Sequence, residues 1–129
     1  MNDSHSGKGI ILLLESDPIT RAVLRDTLND AGYLVATAND LGMAVDRLQE
    51  MAFDLLITRP YINSMPGRLA ADYLRSKHPG LPVLMVAGFP DDPRLNDLYE
   101  VENFHTFPQP FSRDQLLAKV KDVFQSMSS

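Results

Sequence analysis

Two charged residues close apolar runs in this chain: Glu15 after "IILLL" and Arg59 after "FDLLIT". In open α/β sheets the carboxyl ends of the strands are where ligands bind and chemistry happens. A carboxylate placed there can act as a nucleophile or a metal ligand. An arginine cannot act as a nucleophile, because it stays protonated at neutral pH; its planar fork suits anions and carboxylates instead. Arg59 is therefore either a functional cation or the mark of a function removed. Asp17 is another carboxylate near the first run, but with Pro18 beside it the residue suits a helix N-cap better than a metal ligand. His5, His78 and His105 are widely separated and show no metal-ligand spacing. The chain has no cysteine, which excludes disulfides, thiolate catalysis and cysteine-based zinc sites. No base–nucleophile pair stands out, so the sequence does not read as an enzyme. "LESDPIT" offers no Gly-rich phosphate loop after the first run.

Length and composition set the frame for these residues. A chain of 129 residues is most simply one domain, able to bury about two thirds of its unfolded surface. "MNDSHSGKG" is polar and Gly/Ser-rich, so residues 1–8 read as a flexible tail, 9–126 as the domain and 127–129 as a short C-terminal tail. No apolar run reaches the roughly 18 residues of a membrane span, and no signal-peptide core opens the chain. A cytoplasmic domain without membrane contact is expected. The net charge of −5 and the scattering of the twelve basic residues argue against nucleic-acid binding.

Five short apolar runs alternate with amphipathic segments. "GIILLLE" (9–15), "YLVATA" (33–38), "FDLLIT" (53–58), "PVLMVAG" (82–88) and "FHTF" (104–107) read as strands. The continuous apolar cores of the first, third and fourth suit central parallel strands covered on both faces. Asp17-Pro18 opens a first helix whose buried face is expected to comprise Ile19, Val23, Leu24 and Leu28. Leu41, Ala44, Val45 and Leu48 mark a second helix; Leu69, Ala70, Tyr73 and Leu74 mark a third, ending near His78-Pro79-Gly80. A fourth falls within 91–101. The last begins at a capping-box pattern, Ser112–Gln115, with Phe111 and Leu116 at the staple positions. The expected fold is a (βα)5 doubly wound, five-stranded parallel sheet, a flavodoxin-like three-layer sandwich. The chain ends soon after the last helix, so it reads as a stand-alone domain or an excised piece.

From Gly9 to Phe124 this arrangement resembles the receiver domain of two-component response regulators. "IILLLESDP" is similar to the family's first strand with its acidic pair, and "FDLLITR" to the third strand, which ends in the phosphoacceptor aspartate. "GRLAADYLRSKHPGLPVLMVAG" resembles the third helix, fourth strand and switch-threonine region, and "FPQPF" the lysine-proline-phenylalanine turn.

Carried over position by position, the resemblance implies a degenerate site. The acidic pair falls on Glu15 and Ser16, the phosphoacceptor on Arg59, the switch Thr/Ser on Ala87, the lysine on Gln109 and the aromatic switch on Thr106. The register rests on two spacings typical of the family: Arg59 lies five residues after Asp54, and Gly67 eight after Arg59. Asn63 stands where the family has a proline. The family's three carboxylates and one lysine sum to −2, whereas Glu15, Ser16, Arg59 and Gln109 sum to zero. Magnesium wants several hard oxygens in octahedral geometry, so its binding is expected to be lost or weak, and no other cofactor is implied. Among relocated acceptors, Thr58 should face the other side of its strand, Ser64 lacks a base, and Asp54 is about 16 Å away at about 3.3 Å per residue. For Arg59 two arrangements are open: a fork onto Glu15, or a stem lying over apolar surface with its head in solvent.

The resemblance thus implies a pseudo-receiver of phosphorelay signal transduction, acting as a protein-interaction module. Its expected partner is a signalling protein, met at the face of the fourth helix, fifth strand and fifth helix. Arg113, Lys119, Lys121 and Asp122 on the last helix are candidates for pairing across a homodimer, and a solvated helix face accounts for them equally. The alternatives are a working receiver with a non-standard acceptor, and a binder of a small anionic ligand at the same crevice.

Overall fold

The computed structural model describes residues 8–87, 104–108 and 113–127. In chain order these form β1 (Ile10–Leu14), α1 (Pro18–Asp30), β2 (Leu34–Ala38), α2 (Leu41–Glu50), β3 (Leu55–Thr58), β4 (Tyr61–Ile62), β5 (Met65–Pro66), α3 (Gly67–Lys77), β6 (Val83–Ala87), β7 (Phe104–Pro108) and α4 (Arg113–Met127). Here α4 is the last helix of the sequence reading; the helix expected within 91–101 lies outside the described residues, as do Phe111 and Ser112 of the expected capping box. Five strands make one parallel sheet in the order β2-β1-β3-β6-β7. The expected five-stranded, doubly wound sheet is thus formed. The chain steps from β1 outward to β2 and returns to the other side of β1 with β3. The carboxyl ends of β1 and β3 therefore flank the point where the winding reverses.

Why β1 and β3 are central follows from their side chains. "ILLL" and "LLIT" are buried along their whole length, so neither face is left for water. Ile11, Leu13, Leu55 and Ile57 point to one face, where Leu24 and Leu28 of α1 and Leu116, Val120 and Val123 of α4 cover them. Leu12, Leu14 and Leu56 point to the other, under Ala44 and Leu48 of α2 and Ala70, Ala71 and Leu74 of α3.

One expectation about α1 does not hold. Ile19 and Val23, read as core, are 74% and 59% exposed. Successive helix residues are turned by about 100°, so once Leu24 and Leu28 face the sheet, Val23 points sideways and Ile19 further outward. Leu69 and Tyr73 of α3 are exposed for the same reason, with Ala70, Ala71 and Leu74 taking the sheet side. A hairpin joins β3 to α3. Its strands β4 and β5 pair antiparallel around Asn63-Ser64, with Asn63 in the left-handed region at φ 57°, a conformation asparagine tolerates well.

No helix among the described residues is long and apolar enough to cross a membrane.

Candidate functional site

The site is built by strand register. Ile11 pairs with Leu55 and Leu13 with Ile57. Two residues further on, the same register sets Glu15 opposite Arg59. Because side chains alternate along a strand, both leave on the same side of the sheet edge. Arg59 takes the first of its two expected arrangements: Nη1 donates to Glu15 Oε1 at 3.0 Å. Glu15 is only 3% exposed. Taking a carboxylate out of water costs several kcal/mol unless it is paired and hydrogen-bonded. Here both oxygens are engaged, since Oε2 accepts the Asp17 backbone N–H at 2.9 Å. The opposite end of the same strand pair is fastened too: Asp54 Oδ2 accepts the Ile10 N–H at 2.9 Å. That contact accounts for the carboxylate opening the third strand.

Three further contacts knit the loops around the pair. The Arg21 guanidinium donates to the carbonyl oxygens of Glu15 at 2.9 Å and Ser16 at 3.4 Å, so a second arginine braces the β1–α1 turn. Ser16 Oγ accepts the Asn63 N–H at 3.3 Å, tying that turn to the hairpin. Asp17 caps α1 by accepting the Thr20 N–H at 2.8 Å. That hydrogen bond, then the Thr20 hydroxyl, and more weakly Arg59 and Arg21, hold the Asp17 carboxyl below the usual carboxylate range. Beneath the hairpin, Gly67 opens α3 with its N–H on the Pro60 carbonyl at 2.6 Å. A side chain there would overlap the Arg59 carbonyl oxygen.

The remaining candidates are distributed as follows. Ser16 is half-buried in the β1–α1 turn; Ala87 closes β6, and Thr106 lies on β7 opposite Met85. Gln109 lies outside the described residues. Thr58 is fully buried on the same strand face as Leu56, away from Arg59, and its hydroxyl has no hydrogen-bond partner. Ser64 is exposed in the hairpin turn. The sequence reading missed Arg21, the Ser16–Asn63 bond and the tight seat of Gly67. A signal for the first was present, because Arg21 stands one turn after the N-cap Asp17 and so returns over the loop.

A magnesium ion does not fit the groups that stand here. Both Glu15 oxygens are committed, Ser16 accepts a backbone N–H, the Asp17 carboxylate caps α1, and a guanidinium occupies the mouth. Among the described residues no group of three or more His, Asp or Glu side chains is gathered to hold a metal.

Comparison with known proteins places this geometry. The sequence pattern of the family described as "Response regulator receiver domain" matches residues 11–121. The chain is 31% identical over 118 residues to the C4-dicarboxylate transport transcriptional regulatory protein DctD of Pseudomonas aeruginosa, a match covering 89% of this chain and 25% of that protein. It is 27% identical over 122 residues to the sensor kinase CckA of Brucella abortus, covering 93% of this chain and 13% of that protein. The chain thus spans a quarter or less of these relatives. Among solved structures, the chemotaxis protein CheY4 of Vibrio cholerae superposes with a TM-score of 0.80 at 26% identity, over 91% of this chain and 99% of that one. FixJ of B. japonicum gives 0.80 at 21% identity, over 92% and 58%. With the five-strand order, the switch-point crevice and a family match over most of its length, the chain belongs to the response regulator receiver domains.

Proposed function

We propose that this receiver domain works without an aspartyl phosphate, as a protein-interaction module in two-component signalling. The reading rests on Arg59 standing at the phosphoacceptor position, and one observation carries it: the Arg59 guanidinium is bonded to the buried Glu15 carboxylate. Receiver chemistry needs a carboxylate nucleophile in line with a phosphoryl group, with a metal and a lysine to neutralise it. With Glu15, Ser16, Arg59 and Gln109 in those places the phosphoacceptor position holds no nucleophile, and the one carboxylate left, Glu15, is committed to Arg59 and the Asp17 N–H. An internal cation takes the place of the external ones, and the loops around it are tied in one arrangement. With Ala87 and Thr106 at the switch positions, the coupling that moves the output face on phosphorylation is absent. The domain, residues 9–126, then offers a signalling partner one surface, at the helix expected within 91–101, the last sheet strand β7 and the last helix α4. Control comes from abundance or from the partner. The anionic-ligand reading is weaker, because the guanidinium such a ligand needs is held by Glu15.

The test is an amide NMR titration with Mg²⁺, followed by Mg²⁺ with beryllofluoride or acetyl phosphate. The expected result is an unchanged spectrum around Glu15, Ser16 and Arg59. Saturable shifts that spread to α4 would overturn the proposal and reveal a working acceptor.

A further inference from the structure

Among the described residues, five of the seven exposed large apolar side chains fall on two stripes on opposite faces of the sheet, Leu34 of β2 and Tyr61 of the hairpin standing apart. On α1, Ile19 and Val23 stand one turn apart and are followed on the same line by Asp26 and Asp30, spacings of four, three and four. On α3, Leu69 and Tyr73 are 59% and 45% exposed, Met65 of the hairpin precedes them, and Lys77 follows. The Lys77 Nζ lies 5.7 Å from the centroid of the Tyr73 ring. Each stripe is therefore apolar in its first half and charged in its second, with opposite sign. Laid side by side in parallel, Ile19 meets Leu69 and Val23 meets Tyr73. The run from Ile19 to Asp26 is about 10.5 Å and from Leu69 to Lys77 about 12 Å, at 1.5 Å per residue, so the carboxylate arrives beside the ammonium.

The placement of the acids is itself unexplained by α1 alone. Carboxylates near a helix C-terminus oppose the macrodipole, and the last turn of α1 carries no basic residue. Asp26 lies 3.1 Å from Arg25, and Asp30 lies 3.8 Å from Arg113. Both pairs are in solvent, where such contacts stabilise little. A cation arriving from outside would relieve the mismatch.

We infer that this domain self-associates head to tail, the α1 stripe of one copy seated on the α3 stripe of the next. Because α1 and α3 cover opposite faces, the contact is heterologous: each copy keeps one free stripe of each kind, and the assembly grows rather than closing as a two-fold dimer. The inference does not depend on the role of Arg59.

Sedimentation velocity across a hundredfold range of concentration tests it. The wild-type chain should grow past a dimer, into an open chain or a closed ring of three or more copies, and growth should recede as salt is raised, because the charged halves are exposed. Val23→Lys and Leu69→Glu should each remain monomeric. Both positions are more than half exposed, so their circular dichroism and unfolding midpoints should match the wild type. Mixed in equal amounts, the two variants retain one good stripe of each kind and should form a one-to-one dimer that goes no further. A monomer at every concentration would overturn the inference. So would a plateau at a wild-type dimer, a Val23→Lys variant that dimerises with itself, salt-insensitive growth, or a mixture that stays monomeric.

Discussion

Arg59 Nη1 lies 3.0 Å from Glu15 Oε1, and the two residues extend a strand register that holds them forty-four positions apart in sequence. Since Glu15 is buried, removing its cation leaves a carboxylate with only the Asp17 N–H for compensation. Arg59→Ala is expected to lose about 2–4 kcal/mol, toward the lower end for breaking a buried pair because Arg59 is 19% exposed. Glu15→Gln keeps the acceptor and the shape without the charge, so it should cost less. Combining Glu15→Gln with Arg59→Ala should lose clearly less than the sum of the single losses. Urea unfolding of the four proteins measures this, and additive losses would mean that the pair is not coupled.

A second prediction separates two glycines that are needed for different reasons. Gly67 sits against backbone, where a methyl group would overlap the Arg59 carbonyl oxygen. Gly80 has open space around it and φ +89°. Gly67→Ala must push the hairpin off the strand tip and is expected to cost about 2–3 kcal/mol by overpacking. Gly80→Ala meets only backbone strain and should cost about 1 kcal/mol. Equal effects on the urea midpoint would show that Gly67 is not held against the Arg59 carbonyl.

How far these relationships could be read from sequence differs from residue to residue. The central strands were legible because burial on both faces leaves an uninterrupted apolar run, as in Ile11–Leu14 and Leu55–Ile57. The N-cap at Asp17 was legible because capping is local. Ile19 and Val23 were misread because hydrophobic spacing gives the width of an apolar face but not the angle at which the sheet meets it. The β4–β5 hairpin escaped because two-residue strands carry no periodicity. The Glu15–Arg59 contact was open at the sequence level, and pairing β1 with β3 settled it. Asp54 belongs to the same lesson, since its bond to Ile10 N–H is set by the same register.

The third prediction concerns pH. Tyr33 is packed beneath the ring of Phe124, with centroids 5.4 Å apart, and burial pushes its phenol pKa up. Above the ordinary phenol value of about 10 the unfolded chain releases this proton while the folded chain keeps it. The unfolded state then binds fewer protons, and stability falls as pH rises through that window. Phenolate absorbance should show a late-titrating component that Tyr33→Phe removes. Stability measured against pH should fall less steeply in that variant. An unchanged titration curve would place the Tyr33 ring in water.

The last prediction turns the proposed loss of chemistry into a gain. In the native chain Glu15 and Arg59 cancel each other's charge. Ser16→Asp combined with Arg59→Asp would set three carboxylates at the tips of β1 and β3, a net −3 without a cation. Like charges at such range repel, so in a chelator the variant should be less stable than the native chain. Magnesium relieves that repulsion only if the three side chains converge on one ion. With an affinity of about 1 mM, as for weak oxygen-ligand sites, a tenfold excess of Mg²⁺ would add about 1.4 kcal/mol to the variant. The native chain, whose Glu15 oxygens are committed to Arg59 and the Asp17 N–H, should gain nothing. Thermal unfolding with and without Mg²⁺ reads the difference directly. If Mg²⁺ leaves the variant unchanged, positions 16 and 59 do not share a site, and the alignment that sets Arg59 in the phosphoacceptor place is wrong. If it stabilises the variant alone, two side chains separate this domain from the metal binding of its family.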